Sequence, residues 1–211
     1  VALLVDMTLT QFTDELAADS AAPGGGSVAA LSGALGASLV SMVCRLTIGK
    51  KGYEEYEEEV KEVLVESDRL RRSLLDAIDI DAKAFEKVMD AFAAPKGTEE
   101  EKAARRGLIQ TAFKGACESP RDTAIGCLQV LRLCARIAEK SNTNAASDLG
   151  VAASAALAGL ESAVMNVFIN LSSIKDEDYV DDMETQMETL HEEGAILKAG
   201  VLRVVPGHLG D

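Results

Sequence analysis

Residues 53–94, YEEYEEEVKEVLVESDRLRRSLLDAIDIDAKAFEKVMDAFAA, decide the fold, because the stretch holds no glycine or proline and is rich in strong helix formers. It predicts one unbroken helix of roughly 60 Å at 1.5 Å per residue. Written in heptads, it places Val60, Ser67, Leu74, Asp81 and Val88 in one column. Val63, Leu70, Ala77 and Ala84 fall beside them, as do Leu64, Ile78, Phe85 and Phe92. Such an apolar stripe belongs to a bundle helix, and Asp81 interrupts it. Its neighbours three and four residues away are Ala77, Ile78, Ala84 and Phe85, whereas Asp76 and Asp79 fall towards solvent. A carboxylate in those surroundings loses hydration and its pKa rises, the condition for a general acid or base near neutrality. The other reading is a structural aspartate paired with an arginine or a helix end.

The rest of the chain reads as further helices. Thr8 or Thr10 opens a short one that ends by Pro23, and a second runs from about Ser27 to Ile48. Thr98-Glu-Glu-Glu101 is a capping box for a fourth, which Ser119-Pro120 bends or restarts before it reaches Lys140. A small-residue helix spans about Ala145 to Leu171, and an amphipathic one runs from Asp176 to about Val204. No strand period or repeat appears. With 47% hydrophobic and 4% aromatic residues in 211, the expectation is one all-α domain, an antiparallel up-and-down bundle, with residues 1–7 as a mobile leader.

The formal charge of −14 argues against nucleic acid as a partner. No charged residue lies between Asp19 and Arg45, and Gly33, Ala37 and Ser41 give a small-xxx-small pattern, so a membrane helix has to be weighed. The Pro-Gly-Gly-Gly break, the serines and the lack of an aromatic belt favour a buried helix of a soluble bundle instead. Cys44, Cys117, Cys127 and Cys134 form no CxxC pair and read as buried thiols in a reducing cytoplasm. His191 and His208 have no metal-site spacing, so no metal is expected.

Three polar motifs carry candidate chemistry. In Pro23-Gly24-Gly25-Gly26-Ser27 the proline ends a helix and the glycines permit left-handed or close-approach backbone. Ser27 would cap the next helix, whose free N–H groups would face an anion or a carbonyl. A plain hinge is the alternative. Arg45-Leu-Thr-Ile-Gly-Lys50-Lys51, followed by Tyr53, is either a set of helix-end cations or a ligand loop, and Lys102 to Arg106 is a second basic island. Ser141-Asn142-Thr-Asn144-Ala-Ala-Ser147-Asp148 is a dense cluster suited to a heterocycle with mixed donor and acceptor edges, although each residue alone fits a turn or a cap. Asn166 and Asn170 interrupt the helix that follows and fit simple bonds across the bundle. The glycine loop and the Asn-Ser-Asp cluster are expected at the same end of the bundle.

Together these motifs resemble the cyclodeaminase and methenyltetrahydrofolate cyclohydrolase enzymes of folate one-carbon metabolism. The resemblance runs in order through Pro23–Ser27, Ser41–Lys51 with Tyr53, Asp81 with Ala84-Phe85, Pro95–Lys102, Asn142–Asp148 and Asn166–Leu171. It implies a homodimer and a site for a reduced folate, with or without a polyglutamate tail, served by no metal or redox cofactor. It implies hydrolysis of the 5,10-methenyl bridge to 10-formyltetrahydrofolate, or closure of 5-formiminotetrahydrofolate to the methenyl form with loss of ammonia; a non-catalytic folate-binding or assembly module is the remoter alternative. The Met42–Lys51 run resembles the stand-alone cyclohydrolases more than the animal domain that is fused to a formiminotransferase. Asp81, Asp148 and Lys50 are the implied catalytic residues. Gly24, Gly25, Gly26, Ser27, Arg45, Lys51, Tyr53, Asn142 and Asn144 are the implied binding residues.

Overall fold

The computed structural model describes residues 3–20 and 22–205, so His208 lies outside the described residues. Its helices are α1 (Leu9–Leu16), α2 (Gly25–Thr47), α3 (Glu57–Ala93), α4 (Glu99–Ile137), α5 (Ala146–Leu171) and α6 (Glu177–Leu202), and no strand occurs among the described residues. The all-α reading therefore stands. Capping sets several boundaries as expected: Thr8 and Gln11 form a reciprocal box at α1, Thr98 and Glu101 do the same at α4, and Asp176 caps α6 by accepting from the Tyr179 N–H.

The start of α2 departs from expectation. The helix opens at Gly25, its N-cap is Gly24 in extended conformation, and Ser27 lies buried in the first turn. The Ser27 hydroxyl donates to the Ile78 carbonyl at 3.1 Å, so the residue ties α2 to α3 and caps nothing. Pro120 sits inside an α4 that continues to Ile137.

Small residues explain the centre of the bundle. A Cβ added at Gly36 would lie 2.9 Å from the Ala152 carbonyl oxygen, and one at Gly159 would lie 2.8 Å from that of Ala29, so α2 and α5 pack backbone on backbone. These two apolar helices are long enough to cross a membrane. Here they pack on each other and on α3 and α4 around Val40, Leu74, Leu131 and Leu160. The four cysteines are buried and free, and desolvation pushes the Cys127 and Cys134 thiols up to about 12.

The N-terminal segment is docked over its described residues. Leu4–Asp6 form a 3₁₀ turn whose Leu4 and Val5 N–H groups donate to the Asp79 carboxylate at 2.7 and 3.3 Å. The segment read as a mobile leader is thus tied to α3 over residues 4 and 5, and Asp79, read as facing solvent, is half-buried and accepts from it.

Pairing is antiparallel throughout the centre: Gly26 meets Asp81 while Ser41 meets Ser67. Ala116 likewise meets Asn170. Because α3 continues about 12 residues past Asp81, its end projects roughly 18 Å beyond the start of α2, alongside the first part of α4. The base of this projection is where the site lies.

Candidate functional site

A cavity of about 410 Å³ opens where α3 passes the start of α2, lined by Gly24, Gly25 and Gly26, by Asp81 and Phe85, by Phe113, and by Asn166 and Asn170. The glycines matter here through close approach, since none of the three has a positive φ. A Cβ on Gly26 would stand 2.2 Å from Asp81 Oδ1, and one on Gly25 would stand 3.1 Å from Asn166 Nδ2. The anion that the first turn of α2 attracts is thus the chain's own carboxylate. The sequence reading placed an anion or a carbonyl before these N–H groups, and the Ser27 N–H meets such an anion in Asp81.

Asp81 is half-buried, and desolvation raises its pKa, while the Ser27 backbone N–H pulls in the other direction. Beside it, Asn166 donates its Nδ2 to the Ser162 carbonyl at 2.7 Å, and Asn170 donates its Nδ2 to Asn166 O at 3.0 Å and to Ala116 O at 3.1 Å. Asn170 bonds across the bundle, as read from the sequence, whereas Asn166 bonds within its own helix, and both line the cavity. Their placement as site residues is new. The signal for it was present, since two amides one turn apart interrupt an apolar helix. A larger groove of about 530 Å³ between the projecting ends of α3 and α4 has mainly apolar walls, such as Ala91, Leu108 and Ala112, with Lys87 and Asp90 as its charged groups.

The basic loop and the asparagine cluster meet elsewhere. Gly49 and Gly52 adopt φ values of 73° and 92°, which only glycine takes readily, and they turn the chain so that Lys50 reaches the connection between α4 and α5. Lys50 Nζ donates to Asn142 Oδ1 at 2.6 Å and lies 6.0 Å from the centre of the Tyr53 ring. Asn142 is buried; its Nδ2 donates to Leu46 O, its N–H donates to Thr47 Oγ1, and its Oδ1 also accepts from the Asn144 N–H. The Tyr53 hydroxyl accepts from the Thr143 N–H at 3.0 Å, and its hydrogen bonds to Thr143 hold the phenol below its usual range. Asp148 is half-buried in the first turn of α5, and Lys51 and Asn144 are exposed.

Arg45 is engaged elsewhere, in an ion pair with Asp68 at 2.6 Å. In the second basic island Lys102 pairs with Glu99, and Arg105 donates to the Phe92 carbonyl. Among the described residues no group of three or more His, Cys, Asp or Glu side chains is gathered to hold a metal ion.

Within one chain, then, the glycine loop and the Asn-Ser-Asp cluster do not share an end. They lie at opposite ends of α2, roughly 33 Å apart by helix length. The reason is direction: α5 runs antiparallel to α2, so the end of α5, with Asn166 and Asn170, meets the start of α2, and the start of α5 meets its exit.

Fold and cavity define a helical-bundle protein that offers a desolvated carboxylate and amide groups to a ligand in a cleft. The chain belongs to the formiminotransferase-cyclodeaminase family, whose model matches residues 8–189. It is 45% identical over 198 residues to the methenyltetrahydrofolate cyclohydrolase of Methylorubrum extorquens, covering 94% of this chain and 95% of that protein. It is 34% identical to the formimidoyltransferase-cyclodeaminase of Rattus norvegicus, with 94% of this chain matching 37% of that longer protein. The crystal structure of formiminotetrahydrofolate cyclodeaminase from Thermotoga maritima superposes with a TM-score of 0.87 at 32% identity, covering 96% of this chain and 97% of that one.

Proposed function

We propose that this chain is a methenyltetrahydrofolate cyclohydrolase in which Asp81 moves the proton. The observation that carries the reading is a carboxyl group with a raised pKa, set in a cavity against glycine backbone. The likeness to the Methylorubrum enzyme over nearly its whole length supports it. Water adds to the methenyl carbon as Asp81 accepts one of its protons. The bond from that carbon to N5 then breaks, N5 receives a proton, and the second water proton leaves to solvent, giving 10-formyltetrahydrofolate. The ionised carboxylate also favours the cationic methenyl bridge. The chemistry is proton transfer, and we assign it no metal or redox cofactor.

The Thermotoga structure favours a second reading, cyclodeamination in the same cavity. N10 would attack the formimino carbon, and Asp81 would pass the N10 proton to the departing nitrogen, which leaves as ammonia. Purified protein supplied separately with 5,10-methenyl- and 5-formiminotetrahydrofolate separates the two. The methenyl chromophore disappears in the first case if the chain is a cyclohydrolase and appears in the second if it is a cyclodeaminase.

The reading extends to a homodimer. Leu35 and Leu46 on α2, and Val151, Met165 and Ile169 on α5, are each at least half exposed, an apolar surface that a second copy would cover. A twofold axis across α2 would bring the Asp81 end of one chain to the Lys50–Asn142 end of its partner, so that the two clusters, distant within a chain, form one site. Lys50 and Asp148 would then face the folate from the partner. Exposed Lys51 would meet its glutamate tail, single or polyglutamylated. Four free thiols fit a reducing cytoplasm.

A further inference from the structure

Pro120 has no N–H, so the carbonyl of Ala116, one turn earlier in α4, loses its helical donor. A helix carbonyl left without a partner in the interior is costly, and Ala116 is buried. Asn170 supplies the missing donor from α5, at 3.1 Å. The same Nδ2 donates to the Asn166 carbonyl at 3.0 Å. An amide nitrogen carries two N–H groups, and both are thereby committed to carbonyl oxygens. The orientation of this side chain follows from chemistry, because a flipped amide would set Oδ1 against two carbonyls. Asn170 lines the cavity that holds Asp81, and Oδ1 is the polar atom left to face it. Among the described residues nothing donates to that oxygen.

We infer that Asn170 is a specificity-determining residue that accepts a hydrogen bond from a ligand N–H, and that Pro120 is the positioning residue that fixes it as an acceptor. The ligand class is a heterocycle with N–H groups on the edge turned to α5, which a reduced pterin offers through its amino group and ring nitrogens. The inference rests on the folate reading for the identity of that ligand and on the geometry alone for the lock.

Pro120→Ala restores the helical N–H, which reclaims the Ala116 carbonyl and frees one Asn170 N–H. The helix should not suffer, since alanine is the better helix residue. The test is a double-mutant cycle of Pro120→Ala and Asn170→Ala, read by KM and kcat on 5,10-methenyltetrahydrofolate and by NMR exchange of the Asn170 side-chain amide protons in the ligand-free protein. Each single variant should raise KM about tenfold, the size of one lost hydrogen bond, with kcat changed much less. The double variant should match Asn170→Ala alone, because Pro120 acts through Asn170. The amide protons should be protected in the wild-type chain and exchange faster in Pro120→Ala, whose thermal midpoint should not fall. Unchanged KM and unchanged amide protection in Pro120→Ala would overturn the proposal, as would KM effects that multiply in the double variant. If the wild-type chain converts neither folate, the functional reading fails, and the exchange measurement still decides the Pro120–Asn170 lock.

Discussion

Replacing Gly26 by alanine tests the site without removing a polar group. The added methyl would stand 2.2 Å from Asp81 Oδ1 and 2.4 Å from both Cγ and Oδ2, inside the carboxyl group, whereas ordinary contact begins near 3.4 Å. The carboxyl must therefore retreat by about 1.2 Å. The colliding atoms end a rotatable side chain, so the backbones of α2 and α3 can stay where they are. Alanine is also favoured over glycine inside a helix by up to ~1 kcal/mol, which offsets the cost of moving Asp81. The expected variant folds, keeps its circular dichroism spectrum and melts within a few degrees of wild type. It turns over 5,10-methenyltetrahydrofolate on the order of 10²-fold more slowly, the usual cost of misplacing a reacting group by an ångström. Wild-type turnover in a folded Gly26→Ala would show instead that the seat of Asp81 against α2 is irrelevant to the chemistry.

Asp81→Asn should change stability in a pH-dependent way. Burial raises the folded-state pKa above the unfolded value of about 3.9, so the group's contribution is fully present below that value and is lost as pH rises through the folded pKa. The variant should melt higher than wild type at neutral pH, and the difference should vanish near pH 3.5 to 4. A difference independent of pH would point away from a desolvated carboxylate. Mixing inactive Asp81→Asn with inactive Lys50→Met under conditions of subunit exchange should restore about a quarter of wild-type activity if the site spans two chains, and none if each chain works alone. Lys51→Glu should raise KM for polyglutamylated substrate and flatten its salt dependence; an unchanged KM would remove Lys51 from the tail site.

Helix order was legible because its causes are local. A run without glycine or proline gave α3, and Thr8, Thr98 and Asp176 marked their helices by side-chain caps. Asp81 was legible for the same reason, as a polar break in an apolar period. What stayed hidden depends on partners far along the chain. Nothing near Ser27 announces that its hydroxyl serves Ile78 rather than its own helix end, and nothing near Asp79 announces the N–H groups of Leu4 and Val5. The separation of Lys50 and Asn142 from the glycine loop follows from the antiparallel course of α2 and α5, which composition and spacing alone do not fix. The Asn170 amide could be seen as a polar interruption, but its orientation depends on a proline fifty residues earlier.

The proposed function rests on Asp81 carrying the proton in hydrolysis of the methenyl bridge, and this role has a direct measurement. It is tested most directly by single-turnover measurement of 5,10-methenyltetrahydrofolate loss in wild type and in Asp81→Asn, with binding of the same compound measured in parallel. The asparagine variant should fold and bind but lose a factor on the order of 10²–10⁴ in the chemical step, because asparagine keeps the shape of the side chain and lacks its basicity. A folded Asp81→Asn that hydrolyses the bridge at close to the wild-type rate would contradict it, and an accompanying loss of activity in Asp148→Asn would move the role to that carboxylate.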